Sequence, residues 1–304
     1  MLLKREEFLQ AFEFVKNNAR ELDRKLIESQ FGNESEKEVR KALVKYQNPD
    51  GGFGNAIDPD FRLKASSPMA TSVGLQYCTQ IELDSADPII ESAMKYLVST
   101  YQSDGGYWPP TFMNVNEEPH APWWHVESVI SPSEAGWPNP NAELVGYMNK
   151  YAIHVPKDVL IAVNRRALLN LESSTYIEGL IYDIVCWNRA YSYLPDALRR
   201  KATDKIERTL RKIMPTIEQV LREVRVFVIA PDPQSLLYRL YPDRVTGLIA
   251  SQIQKQSDDG GWWPTWEWGQ YMDSWSHAKK EWAGKITVEC LISLKQYNFI
   301  EMIS

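Results

Sequence analysis

Two histidines five positions apart lie in a long segment that has no helical pattern. His120 and His125 stand between a helix predicted to end near Gln102 and one predicted to begin at Asn139. Loops longer than about 12 to 15 residues are commonly functional in compact domains. Imidazole titrates near neutral pH and also binds zinc. Both rings are therefore candidates for acid/base catalysis or for sharing a metal with a nearby glutamate, and the alternative is that they order the loop by hydrogen bonds.

The same region carries further groups that could contact a small molecule. Trp123 and Trp124 offer flat apolar faces, and Asn141 offers an amide near the start of the next helix, so all three are predicted ligand contacts. Glu143 is predicted to act as a catalytic carboxylate, and either Glu143 or Glu127 could complete a metal site with the histidines. The spacing of these residues matches no established metal motif, so no metal site is assigned.

A second polar loop contains Asp58, Asp60 and Arg62. The two carboxylates are predicted to serve in catalysis and the guanidinium to bind a ligand, with all three facing His120 across the mouth of the fold. The alternative is local pairing of Arg62 with one of the aspartates, which would make this segment an ordered turn.

A third segment, residues 262–275, is rich in tryptophan. Trp263 and Trp266 are predicted to form a ligand wall, because rigid aromatic rings give a large contact area at small entropic cost. The alternative is a loop that packs on itself.

These candidate loops follow three related turns. Each turn reads Gln, three residues, Gly, one residue, and then Phe or Trp, and the copies begin at Gln47, Gln102 and Gln256. The first two copies are 55 residues apart and the last two are 154 apart, which fits a repeat of about 50 residues. Glycine accepts the positive φ that such a turn requires. The turns are predicted to link helices, with a direct ligand contact as the alternative.

The pattern outside the loops is helical. Residues 3–28 carry apolar side chains at helical spacing, and Ser67-Pro68, Asp87-Pro88 and Asn139-Pro140 each read as a capping residue followed by proline. About twelve helices fit the chain, and no alternating strand pattern competes with them. We predict an all-α fold in which helical hairpins close into an α6/α6 ring, an α/α toroid, as a single domain over residues 1–304.

The turns resemble the QW-type repeat of the terpenoid cyclase and protein prenyltransferase superfamily of α/α toroids. A closer similarity, to a group of uncharacterised bacterial proteins, rests on three segments: Asp50-Gly51-Gly52-Phe53-Gly54, Ser66-Ser67-Pro68-Met69-Ala70-Thr71-Ser72 and Pro119-His120-Ala121-Pro122-Trp123-Trp124. The resemblance implies a toroid that binds or transforms a small apolar, isoprenoid-like molecule in its central cavity. It identifies no cofactor.

The catalytic motifs of that superfamily are not matched. Cyclases that protonate an alkene use Asp-x-Asp-Asp, but here Asp58-Pro59-Asp60 is followed by Phe61. Protein prenyltransferases place a zinc-binding Asp two residues before a Cys, whereas Val288 stands two residues before Cys290. An Asp-rich helix able to hold magnesium is also not visible. The sequence therefore leaves open whether the chain is an enzyme.

Charge and hydropathy limit the partners. A net charge of -6 argues against nucleic-acid binding, which depends on Lys and Arg neutralising phosphates. No apolar run approaches the roughly 20 residues of a membrane span, and the charged start does not resemble a signal peptide, so a cytoplasmic location is expected. Cys78, Cys186 and Cys290 lie in apolar stretches without short Cys spacing and are predicted to be buried thiols.

Three functions remain open. The first is the small apolar ligand just described, the second is a carbohydrate-active hydrolase or lyase with a tryptophan-lined cleft, and the third is a non-catalytic interaction module. For a small-molecule site, residues 53–67, 107–138 and 262–279 are predicted to share one mouth of the ring. The reason is that connections following equivalent turns lie at the same end of a regular hairpin repeat.

Overall fold

The computed structural model describes residues 1–32, 35–127, 137–179, 181–221 and 225–301. Within these ranges the α-helices are α1 Arg5–Asn18, α2 Glu21–Phe31, α3 Glu36–Val44, α4 Pro68–Gln80, α5 Pro88–Thr100, α6 Asn141–Lys150, α7 Lys157–Glu172, α8 Ile181–Ala190, α9 Asp196–Ile213, α10 Ile217–Val220, α11 Val226–Ile229, α12 Leu236–Leu240, α13 Pro242–Ile253 and α14 Met272–Gln296. Among the described residues, β-type backbone pairing is confined to isolated bridges. The all-α class is confirmed, and the ring arrangement stays a prediction.

The chain folds into two compact units. Unit 1 consists of Met1–Ala42 and Pro215–Ser304, and unit 2 consists of Leu43–Met214. Both ends of the chain belong to unit 1, where Leu3 and Ile300 form a short parallel bridge. The single domain over residues 1–304 stays a prediction. Over the described ranges, none of the helices combines the length and the apolar character that crossing a membrane requires.

Two of the predicted helix starts are confirmed by their caps. The Ser67 side chain accepts a hydrogen bond from the backbone N–H of Ala70 at the start of α4. The Asp87 side chain accepts one from the N–H of Ile89 at the start of α5. Proline takes the first helical position in both, where an N–H would have no helical partner. Local sequence therefore fixes where these two helices begin.

Two other predicted helix boundaries are wrong. The start at Asn139 fails because α6 begins two residues later and the Asn139 carboxamide oxygen accepts from the thiol of Cys186 instead of capping the helix. The single helix over residues 3–28 is divided at Ala19, whose backbone is extended, into α1 and α2. The sequence also predicts a helix over residues 33–46 as the hairpin partner of the first helix. The observed α3 begins at Glu36, and residues 33–34 lie outside the described ranges.

Small residues allow close helix packing in each unit. In unit 2, a Cβ on Gly146 of α6 would lie 2.8 Å from the Cα of Ala190 on α8. In unit 1, a Cβ on Gly284 of α14 would lie 2.6 Å from the Cα of Ala19. Both positions therefore require glycine, and the extended break at Ala19 lies against α14.

The turns at Gln47 in unit 2 and Gln256 in unit 1 are built in the same way. In each turn the glutamine Nε2 donates to the carbonyl of the glycine four residues later and to one carbonyl in the first turn of a neighbouring helix. That second acceptor is Ile89 O in unit 2 and Glu7 O in unit 1, each at 2.9 Å. The glycines have φ of 89° and 90°, which only glycine adopts without strain.

The aromatic residue that ends each of these turns is anchored to the next helix. The backbone N–H of Phe53 donates to the Thr71 hydroxyl, and that of Trp262 donates to the Thr287 hydroxyl, both at 3.0 Å. Each hydroxyl in turn donates to the carbonyl four residues earlier in its helix. Both aromatic side chains are buried. The predicted linking role of the turns is therefore confirmed for these two copies.

The turn at Gln102 also anchors its aromatic residue, but its glutamine makes a different hydrogen bond. Asn141 accepts from the N–H of Trp108 at 2.7 Å and donates to its carbonyl at 2.9 Å. The Trp108 indole donates to Leu97 O at 2.7 Å. The Gln102 side chain donates to Thr100 O, a carbonyl on its own side of the turn. Asn141 thus fixes a turn of the fold.

Candidate functional site

The two polar loops predicted to face each other are joined in unit 2. Phe61 and His120 form an antiparallel bridge. On either side of it, the N–H of Arg62 donates to Pro119 O and the N–H of Ala121 donates to Asp60 O, both at 2.8 Å. We name residues 58–62 and 118–125 the paired loops. The structure thus brings Asp60, Arg62 and His120 into one small element.

The aspartates of the paired loops have different surroundings. Asp58 is half-buried, and its side chain accepts a hydrogen bond from the N–H of Asp60 at 2.9 Å, which is a local turn. Asp60 is buried. Asp58 therefore orders the loop through at least one of its oxygens, whereas the pairing of Arg62 with one of the aspartates stays a prediction.

The two histidines contact each other directly. His120 is 1% exposed, and its Nδ1 lies 2.6 Å from the carbonyl oxygen of Glu118. A carbonyl only accepts, so Nδ1 carries a proton. His125 Nδ1 lies 3.2 Å from His120 Nε2, within hydrogen-bond distance. Because His125 is exposed, the pair connects a buried imidazole to solvent and can relay a proton.

The tryptophans beside the histidines differ in exposure. Trp123 is 50% exposed, whereas Trp124 packs its ring edge-on against Phe61 with centroids 5.3 Å apart. The indole N–H of Trp124 is buried and has no acceptor among the residues that the structure describes. Trp124 therefore closes the paired loops, and Trp123 is the ring that a solute could reach. Residues 128–136 of the predicted long loop lie outside the described ranges.

Glu143 belongs to a separate buried polar cluster on the helices of unit 2. Its carboxylate accepts hydrogen bonds from Gln76 Nε2 at 2.9 Å, the Tyr147 hydroxyl at 2.8 Å and Arg189 Nη1 at 3.1 Å. Burial and the charge of Glu143 raise the pKa of the Tyr147 hydroxyl and of the Cys186 thiol. Neither group ionises readily near neutral pH, so the cluster holds one carboxylate and presents no activated nucleophile.

Unit 1 contains a cavity of about 540 Å³ beside the Gln256 turn. It is lined by Trp262, Trp263, Pro264 and Trp266, by residues of α13, and by Arg225 and Val226 at the start of α11. We name it the tryptophan cavity. Trp263 and Trp266, the two predicted wall residues, both line it.

Each indole of the tryptophan cavity is held in place. Trp262 donates through Nε1 to Gln252 O at 2.8 Å, and Trp263 donates through Nε1 to the Asp259 carboxylate at 3.0 Å. The Trp266 ring meets Trp282 at 79° with centroids 5.2 Å apart. The aromatic wall is therefore ordered before any ligand binds.

A charged group closes one side of the tryptophan cavity. Arg225 lines it, and its Nη2 donates to the Glu289 carboxylate at 2.8 Å. Lys285 Nζ lies 2.9 Å from the other oxygen of Glu289. Burial alone raises the pKa of Glu289, but the two adjacent cations outweigh it and lower that pKa to about 2. Glu289 is therefore ionised at all ordinary pH values and fixes Arg225.

Sequence reasoning missed the residues that face the tryptophans. Leu248 and Gln252, four residues apart on one face of α13, line the cavity together with Lys255, two residues after the helix ends. That spacing immediately before the Gln256 turn was the available signal. Arg225 belongs to no sequence motif, and only the fold brings it to this cavity.

The structure offers no metal centre among the residues it describes. No group of three or more His, Cys, Asp or Glu side chains in those ranges is placed to hold a metal ion. The three cysteines are free and buried, as predicted. Comparison with protein-family models, with curated proteins and with solved structures found no match. The chemistry of these sites therefore rests on their own geometry.

Proposed function

We propose that the chain is an α/α toroid that binds a small, largely apolar molecule, isoprenoid-like in bulk, in the tryptophan cavity. The observation that carries the proposal is the cavity itself, with about 540 Å³ beside three indole rings. Small-molecule sites typically enclose about 300 to 1,000 Å³ and are mainly apolar with a few polar groups. The aromatic wall and the volume together suit a small, largely apolar ligand.

The order of the wall supports binding. Trp262 and Trp263 are each held by an indole hydrogen bond, and Trp266 is held by its edge-on contact with Trp282. Immobilising a side chain on binding costs about 0.5 to 1.5 kcal/mol. Rings that are already fixed avoid most of that cost, so apolar contact with the ligand is retained as affinity.

The toroid part of the proposal is supported by the helix to which the glutamine of each turn donates a hydrogen bond. In unit 2, Gln47 donates to the first turn of α5, which follows α4 along the chain. In unit 1, Gln256 donates to the first turn of α1, and its aromatic anchor lies against α14. In unit 1, α1 thus takes the place next to α14 that α5 takes next to α4 in unit 2. A closed ring of hairpins requires this relation.

The carbohydrate hydrolase has less support in the tryptophan cavity. Glycoside hydrolysis uses two carboxyl groups that flank the scissile bond. Among the lining residues that the structure describes, Glu218 is the one carboxylate, and it pairs with Arg244. The cavity therefore offers aromatic contact without the acid and base pair.

Binding of farnesol, a neutral isoprenoid alcohol, tests the proposal by isothermal titration calorimetry. We expect saturable binding to the full chain, and a loss of about tenfold or more in affinity for Trp266→Ala, because a lost apolar contact of 1.4 kcal/mol corresponds to tenfold. Trp123→Ala, which removes an exposed indole in unit 2, is the matched control and should bind like the parent.

Circular dichroism must first show that both variants keep their helices. The absence of farnesol binding, or equal binding by Trp266→Ala and the parent, would count against the tryptophan cavity as the site.

A further inference from the structure

The charges around the tryptophan cavity are unequal. Arg225 and Lys255 line it, and the carboxylate in its lining is Glu218, so the lining carries a net charge of plus one. Glu218 also has its own cation, because it forms an ion pair with Arg244. An apolar site with this excess favours a ligand that brings one negative charge.

Arg225 has more hydrogen-bonding capacity than the protein uses. Its side chain is 15% exposed, its Nη2 is committed to Glu289, and its Nε is buried with no acceptor among the described residues. A guanidinium offers five N–H donors. A ligand oxygen in the cavity therefore has guanidinium N–H groups available besides the one that Glu289 uses.

Lys255 stands where it can complete the contact. It stands two residues after the end of α13, and its side chain and that of Gln252 both line the cavity. Lys255 is exposed, which lets its ammonium group move towards an entering ligand. The aromatic wall, the amide of Gln252 and the two cations therefore surround the same space.

We propose that the natural ligand of the tryptophan cavity is a monocarboxylate with an apolar, preferably planar body. Its body packs on Trp263 and Trp266, and its carboxylate lies between Arg225 and Lys255. This inference rests on the proposed function and adds the charge and the class of the ligand. A monoanion matches the net charge of the lining, whereas a phosphate monoester brings about 1.5 to 2 negative charges and would remain partly uncompensated.

Three naphthalene probes that share one apolar body test the inference. They are 1-naphthylacetate with a carboxylate, 1-naphthyl phosphate with a phosphate, and the neutral 2-(1-naphthyl)ethanol. Calorimetry on the full chain at low salt should show 1-naphthylacetate binding about tenfold more tightly than the neutral alcohol, since a charge-assisted hydrogen bond contributes about 1.5 to 3 kcal/mol. The phosphate should bind more weakly than the carboxylate.

Lysine variants assign the charge effect to the cavity. Lys255→Met should remove most of the preference for 1-naphthylacetate and leave the affinity for the alcohol unchanged, because it deletes one charge and keeps the side-chain length. Lys280→Met removes an exposed lysine of α14 that does not line the cavity and should change neither affinity. The double variant Arg225→Gln with Glu289→Gln removes both partners of this part-buried ion pair and should also abolish the preference.

The outcomes separate the two proposals. Equal affinities for the acid and the alcohol would overturn the carboxylate inference and leave the proposed function standing. Tighter binding of 1-naphthyl phosphate would also overturn it in favour of a phosphate ligand. If neither farnesol nor any of the naphthalene probes binds, both proposals are overturned. A preference for the acid that survives in Lys255→Met and in the double variant would place the anion elsewhere and contradict the site.

Discussion

The loops that follow the first and the last turn differ in how they use the same anchor. In unit 2 the chain after Phe53 enters the paired loops, whose backbone bonds leave His120 1% exposed. In unit 1 the chain after Trp262 runs along a cavity of about 540 Å³. The anchoring bonds to Thr71 and Thr287 have the same length. The turn therefore fixes the fold, and the loop behind it determines whether space remains for a ligand.

The difference has a physical cause in the side chains of the two loops. In the paired loops, Phe61 and Trp124 meet edge-on and fill the space between the two segments. In unit 1 the indoles of Trp263 and Trp266 make their ring contacts with Phe14 and Trp282, aromatic residues on α1 and α14. The loop in unit 2 therefore packs against a partner loop. The loop in unit 1 packs against helices, and its indole rings line the cavity.

We expect the largest loss of stability when the aromatic ring of the shared anchor is removed. Phe53→Ala and Trp262→Ala should each lower the free energy of unfolding by about 3 to 5 kcal/mol, since both rings are buried and truncation leaves a cavity. Urea unfolding followed by circular dichroism measures the effect. Trp123→Ala, at an exposed position, should change stability by less than about 0.5 kcal/mol. A small loss at one anchor and a large loss at the other would show that the two turns are not equivalent.

The hydroxyl that holds each anchor should have the next largest effect. Thr71→Val and Thr287→Val leave the buried N–H of Phe53 or Trp262 without an acceptor, at a cost of about 1 to 3 kcal/mol. The same urea experiment measures it. Thr71→Ser and Thr287→Ser keep the hydroxyl and should restore most of the loss. If serine is as destabilising as valine, methyl packing and not the hydrogen bond explains the effect.

Much of the secondary structure could be predicted from the local sequence. Ser67 and Asp87, each followed by proline, identified two helix starts correctly because a cap depends on residues within one turn. Asn139 offered the same local signal, but a tertiary contact with Cys186 takes its side chain. The break at Ala19 was missed because close packing of α14 on α1, which no local pattern encodes, accompanies it.

The residues of the candidate sites could be predicted from the sequence only in part. Trp263 and Trp266 were found because tryptophans crowded into a loop are conspicuous. Arg225 and Glu289 were not, because they are 64 residues apart and only the fold pairs them. Asn141 was predicted to bind a ligand, yet both ends of its amide hold the backbone of Trp108. An amide at a helix start serves either purpose, and sequence cannot distinguish them.

The ion pair between Arg225 and Glu289 beside the tryptophan cavity gives a smaller, pH-dependent effect. The pKa of Glu289 is lowered from 4.5 to about 2 in the folded chain. Its stabilisation is therefore complete above pH 4.5 and is lost as the pH falls from 4.5 towards 2. Its side chain is 30% exposed, so solvent screening reduces the magnitude.

Glu289→Gln removes this titration and should flatten the loss of stability between pH 4.5 and 2. Urea unfolding at several pH values measures the slope, which should decrease by up to about one proton. The variant will also be less stable at pH 7, since Arg225 and Lys285 lose their partner. An unchanged acid slope would mean that other carboxylates govern acid unfolding.

The smallest expected effect comes from the glutamines, and it compares the last two turns directly. Gln256 donates to Gly260 O and to Glu7 O, which lies on α1, whereas the Gln102 side chain is exposed and donates to Thr100 O only two residues away. Gln256→Ala should therefore lower the free energy of unfolding by about 1 kcal/mol, the usual contribution of such bonds. Gln102→Ala should leave it within about 0.5 kcal/mol. Equal losses would show that Gln256 contributes no more through its long-range bond to α1 than Gln102 does locally, and would remove the main support for continuity between the last repeat and the first helix.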